Sequence, residues 1–276
     1  MLAQNHTTII TPKNDWWKID LNELFEFRNL SYAFAWREIK VRYKQTFLGV
    51  AWVVFQPLAT MVIFTLFFGS LAKLPSGKLP YSLFVLVGLV YWNFFANVVS
   101  HASNSLIENE NLIKKVYFPK LLLPLSSVLV GLVDFAINYV LLIGFSLSKG
   151  FIPPVSFSIV TLVSLFITII AASGLGLFTS SLNIKFRDVR YILPFFIQIL
   201  LFLSPVIYPS SIVSPAKKLI LALNPMTGAI ESVRQSISGE NLDWATIGIS
   251  GASAMGMFFV GLAYFKSTEK FIADIV

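Results

Sequence analysis

Few side chains in this sequence are placed to carry out chemistry, and the most conspicuous is a single carboxylate, Asp134. It is the only charged residue between positions 121 and 148, and Asn138 follows it four positions later, a spacing that puts both on one face of a helix. A carboxylate in an apolar helix can act in transport or form a polar contact between helices. No basic partner is evident, so a hydrogen bond to Asn138 is favoured over a transport role, and both interpretations remain open.

The sequence contains none of the short motifs that mark a catalytic or nucleotide-binding site. The P-loop pattern G-x-x-x-x-G-K-[ST], the zinc pattern H-E-x-x-H and the hydrolase pattern G-x-S-x-G are all missing. There are two histidines, His6 and His101, and no cysteine. We therefore expect no catalytic residue, metal site or cofactor in this chain. Any energy-converting domain is expected to lie on another polypeptide.

A second group of residues suits contact with another protein. The segment 108–118 mixes charged and apolar side chains and stops before Pro119, and apolar anchors with a polar rim are typical of protein interfaces. A plain basic loop that fixes membrane topology would explain Lys114 and Lys115 but not the apolar residues beside them. The predicted contact helix comprises Glu108, Glu110, Asn111, Leu112, Ile113, Lys114, Lys115, Val116, Tyr117 and Phe118.

The elements that position these residues are long stretches without charge. A helix needs about 20 predominantly apolar residues to cross roughly 30 Å of hydrocarbon. The chain is 56% hydrophobic and 13% charged, with a mean hydropathy of +0.74, whereas soluble domains carry about 25% charged residues. The sequence therefore predicts an all-α integral membrane fold with six transmembrane helices, at about 47–71, 81–106, 121–148, 155–182, 191–207 and 244–265.

The distribution of Lys and Arg predicts the orientation. Basic residues are concentrated before the first span, after spans two and four, and in the tail, and such residues mark cytoplasmic segments. Both termini are therefore expected in the cytoplasm. The domains predicted are a cytoplasmic N-terminus with an amphipathic interface helix at 1–46, a transmembrane domain at 47–270 and a cytoplasmic tail at 271–276.

The segment 208–243 is too polar to span a membrane, yet it keeps an apolar helical pattern. Asn224-Pro225 divides it into two short amphipathic helices, which are expected to be re-entrant or to lie at the outer surface. In span six, Gly248, Ala252 and Gly256 form a small-residue stripe of the kind that lets helices approach closely. Packing within one subunit and dimerisation explain this stripe equally well.

Five sequence segments, each in its expected loop or span, together resemble the ABC-2 type polysaccharide-export permeases, the membrane subunits of O-antigen, capsule and teichoic-acid exporters. The similarity covers about 20–270. The segments are WREIKVRYKQTFLGVAWVVFQPL (36–58), ENLIKKVYFPKLLLP (110–124), NIKFRDV (183–189), SPVIYP (204–209) and LNPM (223–226).

The resemblance implies a permease in the cell inner membrane that exports a lipid-linked, O-antigen-like polysaccharide from the cytoplasm. It implies a homodimer with two copies of a separate ATPase, which binds ATP and magnesium. The segment 108–118 would then be the helix that couples to the ATPase, and 208–243 an outer gate. An ABC-2 type exporter of drugs or lipids is the alternative, whereas a secondary transporter would need ion-coupling residues at mid-membrane.

The resemblance also implies three sets of site residues. Cations at the cytoplasmic entrance would meet the pyrophosphate of the lipid carrier, because arginine engages phosphate oxygens in pairs, although topology alone would also place basic residues there. Aromatic side chains would line the channel, and polar residues would form the outer gate. The entrance set is Arg37, Lys40, Arg42 and Lys44; the channel set is Phe64, Phe67, Phe68, Tyr91, Trp92, Phe195, Phe196 and Phe202; the gate set is Tyr208, Asn224, Pro225, Glu231 and Arg234.

Overall fold

The computed structural model describes residues 21–44 and 49–275, and all the regular structure in these ranges is helical. The predicted N-terminal segment 1–46 is therefore described only in part. The helices are α1 (Leu21–Glu26), α2 (Arg28–Lys44), α3 (Gly49–Phe64), α4 (Tyr81–Glu108), α5 (Glu110–Lys115), α6 (Leu122–Ser148), α7 (Val155–Lys185), α8 (Val189–Leu203), α9 (Pro215–Ala222), α10 (Pro225–Ser238) and α11 (Trp244–Ile275).

Five stretches of helix in the described ranges are long and apolar enough to cross a membrane. They are Gly49–Leu71, Tyr81–Glu108, Leu122–Ser148, Val155–Lys185 and Trp244–Glu269. The fifth predicted span corresponds to α8, which has 15 residues and ends at Leu203, because residues 204–209 leave the helix. The last helix runs through the predicted tail as far as Ile275.

The first long stretch combines α3 with a turn of π-helix at Thr65–Leu71. Pro57 lies inside α3 and has no backbone N–H to donate. Eight residues later, the Thr65 hydroxyl donates to the Met61 carbonyl at 2.7 Å. Short π-segments of this kind occur often at functional sites.

Helix α4 is the centre of the bundle. It packs against α3, α6, α7, α8 and α10, and most of its side chains are buried, among them Leu83, Tyr91, Phe94 and Leu106. A helix that is apolar on every side needs protein or lipid around it, and around α4 the cover is other helices. By contrast, α3 and α8 keep large exposed apolar faces.

The tightest helix pair, α7 with α11, meets through glycines. A Cβ on Gly261 would lie 2.0 Å from the Gly174 carbonyl oxygen, and a Cβ on Gly174 would lie 2.6 Å from the backbone of Phe258. The stripe predicted for this role is different: a Cβ added to Gly248 or Gly256 would meet nothing within 4 Å. Packing of these two glycines within the described part of the subunit is therefore not the reason for the stripe.

Candidate functional site

Asp134 has a basic partner, contrary to the sequence-based expectation. Arg42, in the last turn of α2, forms an ion pair with the Asp134 carboxylate. Tyr43 donates a hydrogen bond to the other carboxylate oxygen. The partners were not evident in the sequence because they are more than 90 positions from Asp134, and only the packing of α2 along α6 brings them together.

The ion pair continues into a wider polar network. The Arg42 guanidinium also contacts Nε2 of His101 on α4, and Nδ1 of His101 lies 3.1 Å from a carboxylate oxygen of Glu38 on α2. Burial alone would raise the pKa of Glu38, but the hydrogen bond and charge of His101, with Arg42 and Arg37 nearby, hold it below its usual value. This network connects three helices, and none of its links was predicted.

A cavity of about 520 Å³ lies beside the ion pair, between the end of α2 and helices α3, α4 and α6. Its polar lining consists of Arg42, Gln56, Asn93, Asn97, Asp134 and Asn138. One feature of the sequence could have indicated this cavity but was not used in the prediction. The amides Asn93 and Asn97 have the same i, i+4 spacing as Asp134 and Asn138, and polar residues so spaced in charge-free spans share one face of their helix.

Asn138 does not form the predicted hydrogen bond with Asp134. The carboxylate oxygens of Asp134 accept from Arg42 and Tyr43. Asn138 is 5% exposed, and its Oδ1 has no hydrogen-bond partner among the described residues. A buried acceptor without a partner is uncommon in native proteins and needs an explanation.

The four cations predicted at the entrance occupy different surroundings. Lys40 and Lys44 are exposed on α2. Arg37 is also exposed, and it donates to Oδ1 of Asn109 at 2.7 Å, which attaches α2 to the turn before α5. Arg42 is held by Asp134 and His101. Arg42 therefore differs from the other three, whose side chains are exposed.

The predicted contact helix is shorter than the sequence pattern indicated. Helix α5 covers only Glu110–Lys115, and the chain is extended at Val116. Ile113 and Phe118 turn inward and pack with Phe34 of α2 in a second apolar cluster. Val116 and Tyr117 point outward, both more than half exposed.

Two side-chain contacts involve this short region, one to a neighbouring segment and one within α5. The Tyr117 hydroxyl donates to Glu23 of α1 at 3.0 Å, and Lys114 pairs with Glu110 at 2.6 Å. The exposed large apolar side chains of the segment are Val116 and Tyr117. The surface offered to a partner is thus smaller than the ten residues predicted.

Two of the predicted channel-lining residues lie in the core. Tyr91 is fully buried and its hydroxyl donates to the Thr161 carbonyl, and Trp92 is 5% exposed. Neither can face a channel, because α4 is surrounded by other helices. Phe64 and Phe68 pack against the core. The members with exposed side chains are Phe67, Phe195, Phe196 and Phe202.

The predicted gate residues meet around a buried arginine rather than at an open surface. Arg234 of α10 is 3% exposed. Its guanidinium donates to the carbonyls of Phe84, Pro205 and Val206 at 2.6–3.1 Å and to Glu231 at 3.1 Å. Burial lowers the pKa of Arg234 to about 10, so it remains charged at neutral pH.

The other predicted gate residues surround the same turn. Asn224 caps α10 by accepting from the Met226 amide, and its own amide donates to Ser204 at 2.8 Å. Pro225 is buried at the first position of α10. Glu231 accepts from the Ser210 amide at 3.2 Å, and the Tyr208 hydroxyl donates to the Leu203 carbonyl. Together these bonds fasten residues 204–210 to α10.

Comparison with known proteins gives consistent matches over most of the chain. Residues 30–238 match the family model described as ABC-2 type transporter. The O-antigen export system permease protein RfbA of Myxococcus xanthus is 30% identical over 77% of this chain and 81% of that protein. RfbA of Klebsiella pneumoniae is 27% identical over 94% and 98%. The polysialic acid transport protein KpsM of Escherichia coli is 21% identical over 85% and 91%.

Proposed function

The chain belongs to the ABC-2 type transporter family, and on that basis we propose that it is the membrane subunit of an exporter of lipid-linked polysaccharide. The observation that carries this proposal is the similarity to O-antigen export permeases, which extends over 94% of this chain. The cargo would be an O-antigen-like glycan that leaves the cytoplasm through the inner membrane. The subunit itself would carry no catalytic residue.

The proposed assembly is a homodimer with two ATPase subunits. The apolar faces of α8 and of α3 with its π-helical continuation Thr65–Leu71 are exposed in the single chain, and they include Trp52, Phe67, Phe195 and Phe202. These faces would form the glycan channel between two copies, because aromatic rings can slide along the apolar faces of sugars. In this proposal α8 is the fifth of six spans, with both termini in the cytoplasm and α9 and α10 at the outer side.

The proposed route of force runs through the contact segment. ATP binding would close the two ATPases, and Val116 and Tyr117 would transmit that movement. Since Ile113 and Phe118 pack against Phe34, the movement would pass to α2 and from there to the ion pair with α6. Lys40 and Lys44 would meet the carrier pyrophosphate as it enters.

The proposal is tested by purifying the tagged chain with its native ATPase, identified by mass spectrometry and by ATP hydrolysis. We expect deletion of the chain to leave the glycan inside the cell, with ATP-dependent export restored by the wild-type gene. Accumulation of a drug or lipid in place of a glycan would favour the alternative cargo. Transport by the purified chain in vesicles without an ATPase would overturn the proposal.

The contact segment is tested separately by Val116→Asp and Tyr117→Asp. Each places a charge at an apolar contact, and we expect loss of most of the co-purified ATPase and of export. The matched control is Ile152→Asp, which changes an apolar residue at least as exposed in the loop before α7. Normal recovery of the ATPase with both Val116→Asp and Tyr117→Asp would contradict the docking role.

A further inference from the structure

The cavity beside Arg42 and Asp134 extends from the end of α2 and the first residue of α3 to side chains near the middle of α3, α4 and α6. Asp134 is twelve residues into α6, which corresponds to about 18 Å of helix. Gln56 lies near the middle of α3, and Asn93 and Asn97 lie near the middle of α4. Four amide side chains are thus gathered around one cavity, within helices that are mostly apolar.

The charge of the lining argues against a free ion as the occupant. Arg42 and Asp134 both line the cavity, but they are paired with each other, so their charges largely cancel. A phosphate group would have to displace the Asp134 carboxylate from Arg42. No group of three or more residues able to hold a metal ion occurs in the described ranges.

The amides argue equally against an apolar occupant. An apolar ligand would cover the amides of Gln56, Asn93, Asn97 and Asn138 without satisfying them, and each would then lose its hydrogen bonds to water without replacement. Asn138 supplies the most direct observation. The side chain lines the cavity, and its buried Oδ1 lacks a partner within the described part of the chain, so a rotation of the amide would offer this acceptor to a hydroxyl donor.

We propose that this cavity is a binding subsite for sugar rings of the exported glycan, with the amides of Gln56, Asn93, Asn97 and Asn138 bonding to hydroxyl groups. A hydroxyl is donor and acceptor at once, and a side-chain amide offers both complementary functions. Trp52 lines the same cavity and is half exposed, so it supplies an apolar face for a ring. A cavity of about 520 Å³ lies within the roughly 300–1,000 Å³ of small-molecule sites.

The subsite deepens the proposed function and rests on it, because it assigns the sugar portion of the cargo to a specific group of side chains. It adjoins the aromatic face of α3, because Trp52 belongs to both, and it does not include α8. It also gives the ion pair a role, since the pairing of Arg42 with Asp134 neutralises the site for an uncharged ligand. The ion pair would act as a positioning group, and the amides would contact the sugar.

The absence of cysteine from the sequence makes a cross-linking test direct. A benzophenone maleimide is attached at Gln56→Cys in an exporter stalled by a hydrolysis-deficient ATPase, in cells that make the glycan. Phe202→Cys reports on the proposed channel face of α8. Val140→Cys, on the exposed face of α6, is the control for contact with lipid.

We expect light to attach glycan at Gln56→Cys and Phe202→Cys, and only lipid at Val140→Cys. Glycan at Phe202→Cys with only lipid or no adduct at Gln56→Cys would overturn the subsite while leaving the proposed function intact. If neither position captures glycan, and a strain that lacks the chain still exports the glycan, both the subsite and the proposed function are wrong. Adducts with phospholipid headgroups alone at Gln56→Cys would reject the glycan as the occupant.

Substitution gives a second measurement that does not depend on a label. Asn138→Leu keeps a similar volume but removes the acceptor, and we expect at least a fivefold loss of export with normal recovery of the ATPase. The control Asn241→Leu changes an exposed amide outside the cavity and should leave export unchanged. Export within twofold of wild type for Asn138→Leu, in a normally assembled complex, would count against the subsite.

Discussion

Arg42 and Asp134 form an ion pair that joins the last turn of α2 to the middle of α6. The Asp134 side chain is 5% exposed and the Arg42 side chain 25%, so the carboxylate depends on its partner more than the guanidinium does. The pair links the helix that precedes the first span to the cavity in the bundle. Its two members therefore should not tolerate substitution equally.

Removal of Arg42 is the more damaging change. Arg42→Gln leaves the Asp134 carboxylate buried with Tyr43 as its remaining described partner. We expect a loss of about 2 kcal/mol, below the roughly 3–5 kcal/mol of a fully buried pair because Arg42 is partly exposed. Thermal unfolding in detergent measures it. Asp134→Asn should cost less, and the double variant Arg42→Gln/Asp134→Asn should recover stability; strictly additive effects would contradict direct coupling.

The contact between α7 and α11 predicts that alanine substitutions at two glycines of α11 differ sharply in their cost to stability. Gly261→Ala should lower stability by about 1–3 kcal/mol, because its Cβ would lie 2.0 Å from the Gly174 carbonyl oxygen and the helices must move apart. Gly256→Ala is the control, since that position has open space. Equal unfolding temperatures for the two variants would show that the close approach is not required.

Among the predicted gate residues, substitution of the buried Arg234 is expected to cause the largest loss of stability. Arg234→Met would leave the carbonyls of Phe84, Pro205 and Val206 without this donor, and would leave Glu231 without its cation. We expect a cost of about 3–5 kcal/mol, seen as a low yield of folded protein and a lower unfolding temperature. Lys217→Met, an exposed change on the neighbouring helix α9, is the control and should unfold as the wild type does.

The hydrogen bonds of Asp243, the residue before α11, predict how a fall in pH lowers the stability of the folded protein. The hydrogen bond from Lys218 at 2.6 Å, with those from Thr246, lowers the pKa of Asp243 to about 2. A carboxylate with a depressed folded-state pKa stabilises the protein above its unfolded pKa of about 4, and this contribution disappears as the pH falls from about 4 to 2.

The test compares wild type with Asp243→Asn in detergent from pH 7 to pH 2. We expect the wild type to be more stable at pH 7, and the difference between the two unfolding temperatures to close between pH 4 and pH 2. A constant difference over that range would mean that Asp243 does not contribute through its charge.

The sequence by itself determined the class of this protein. Charge-free stretches can be stable only in an apolar environment, so their lengths indicated a helical membrane fold, and the break at Asn224-Pro225 followed from the local chemistry of proline. Local patterns also predicted a contact segment at 108–118. They did not reveal that Ile113 and Phe118 turn inward, because apolar and charged residues are interleaved in this short segment.

Only the tertiary structure decided which polar groups meet. Arg42 and Asp134 are 92 positions apart, and no periodicity along one helix can indicate a contact between two. The same holds for Tyr91 and Trp92, which looked suited to a channel wall but lie in a central helix that other helices surround. Burial in a membrane bundle depends on which neighbours cover a face, and an apolar helix has the same composition on covered and open faces.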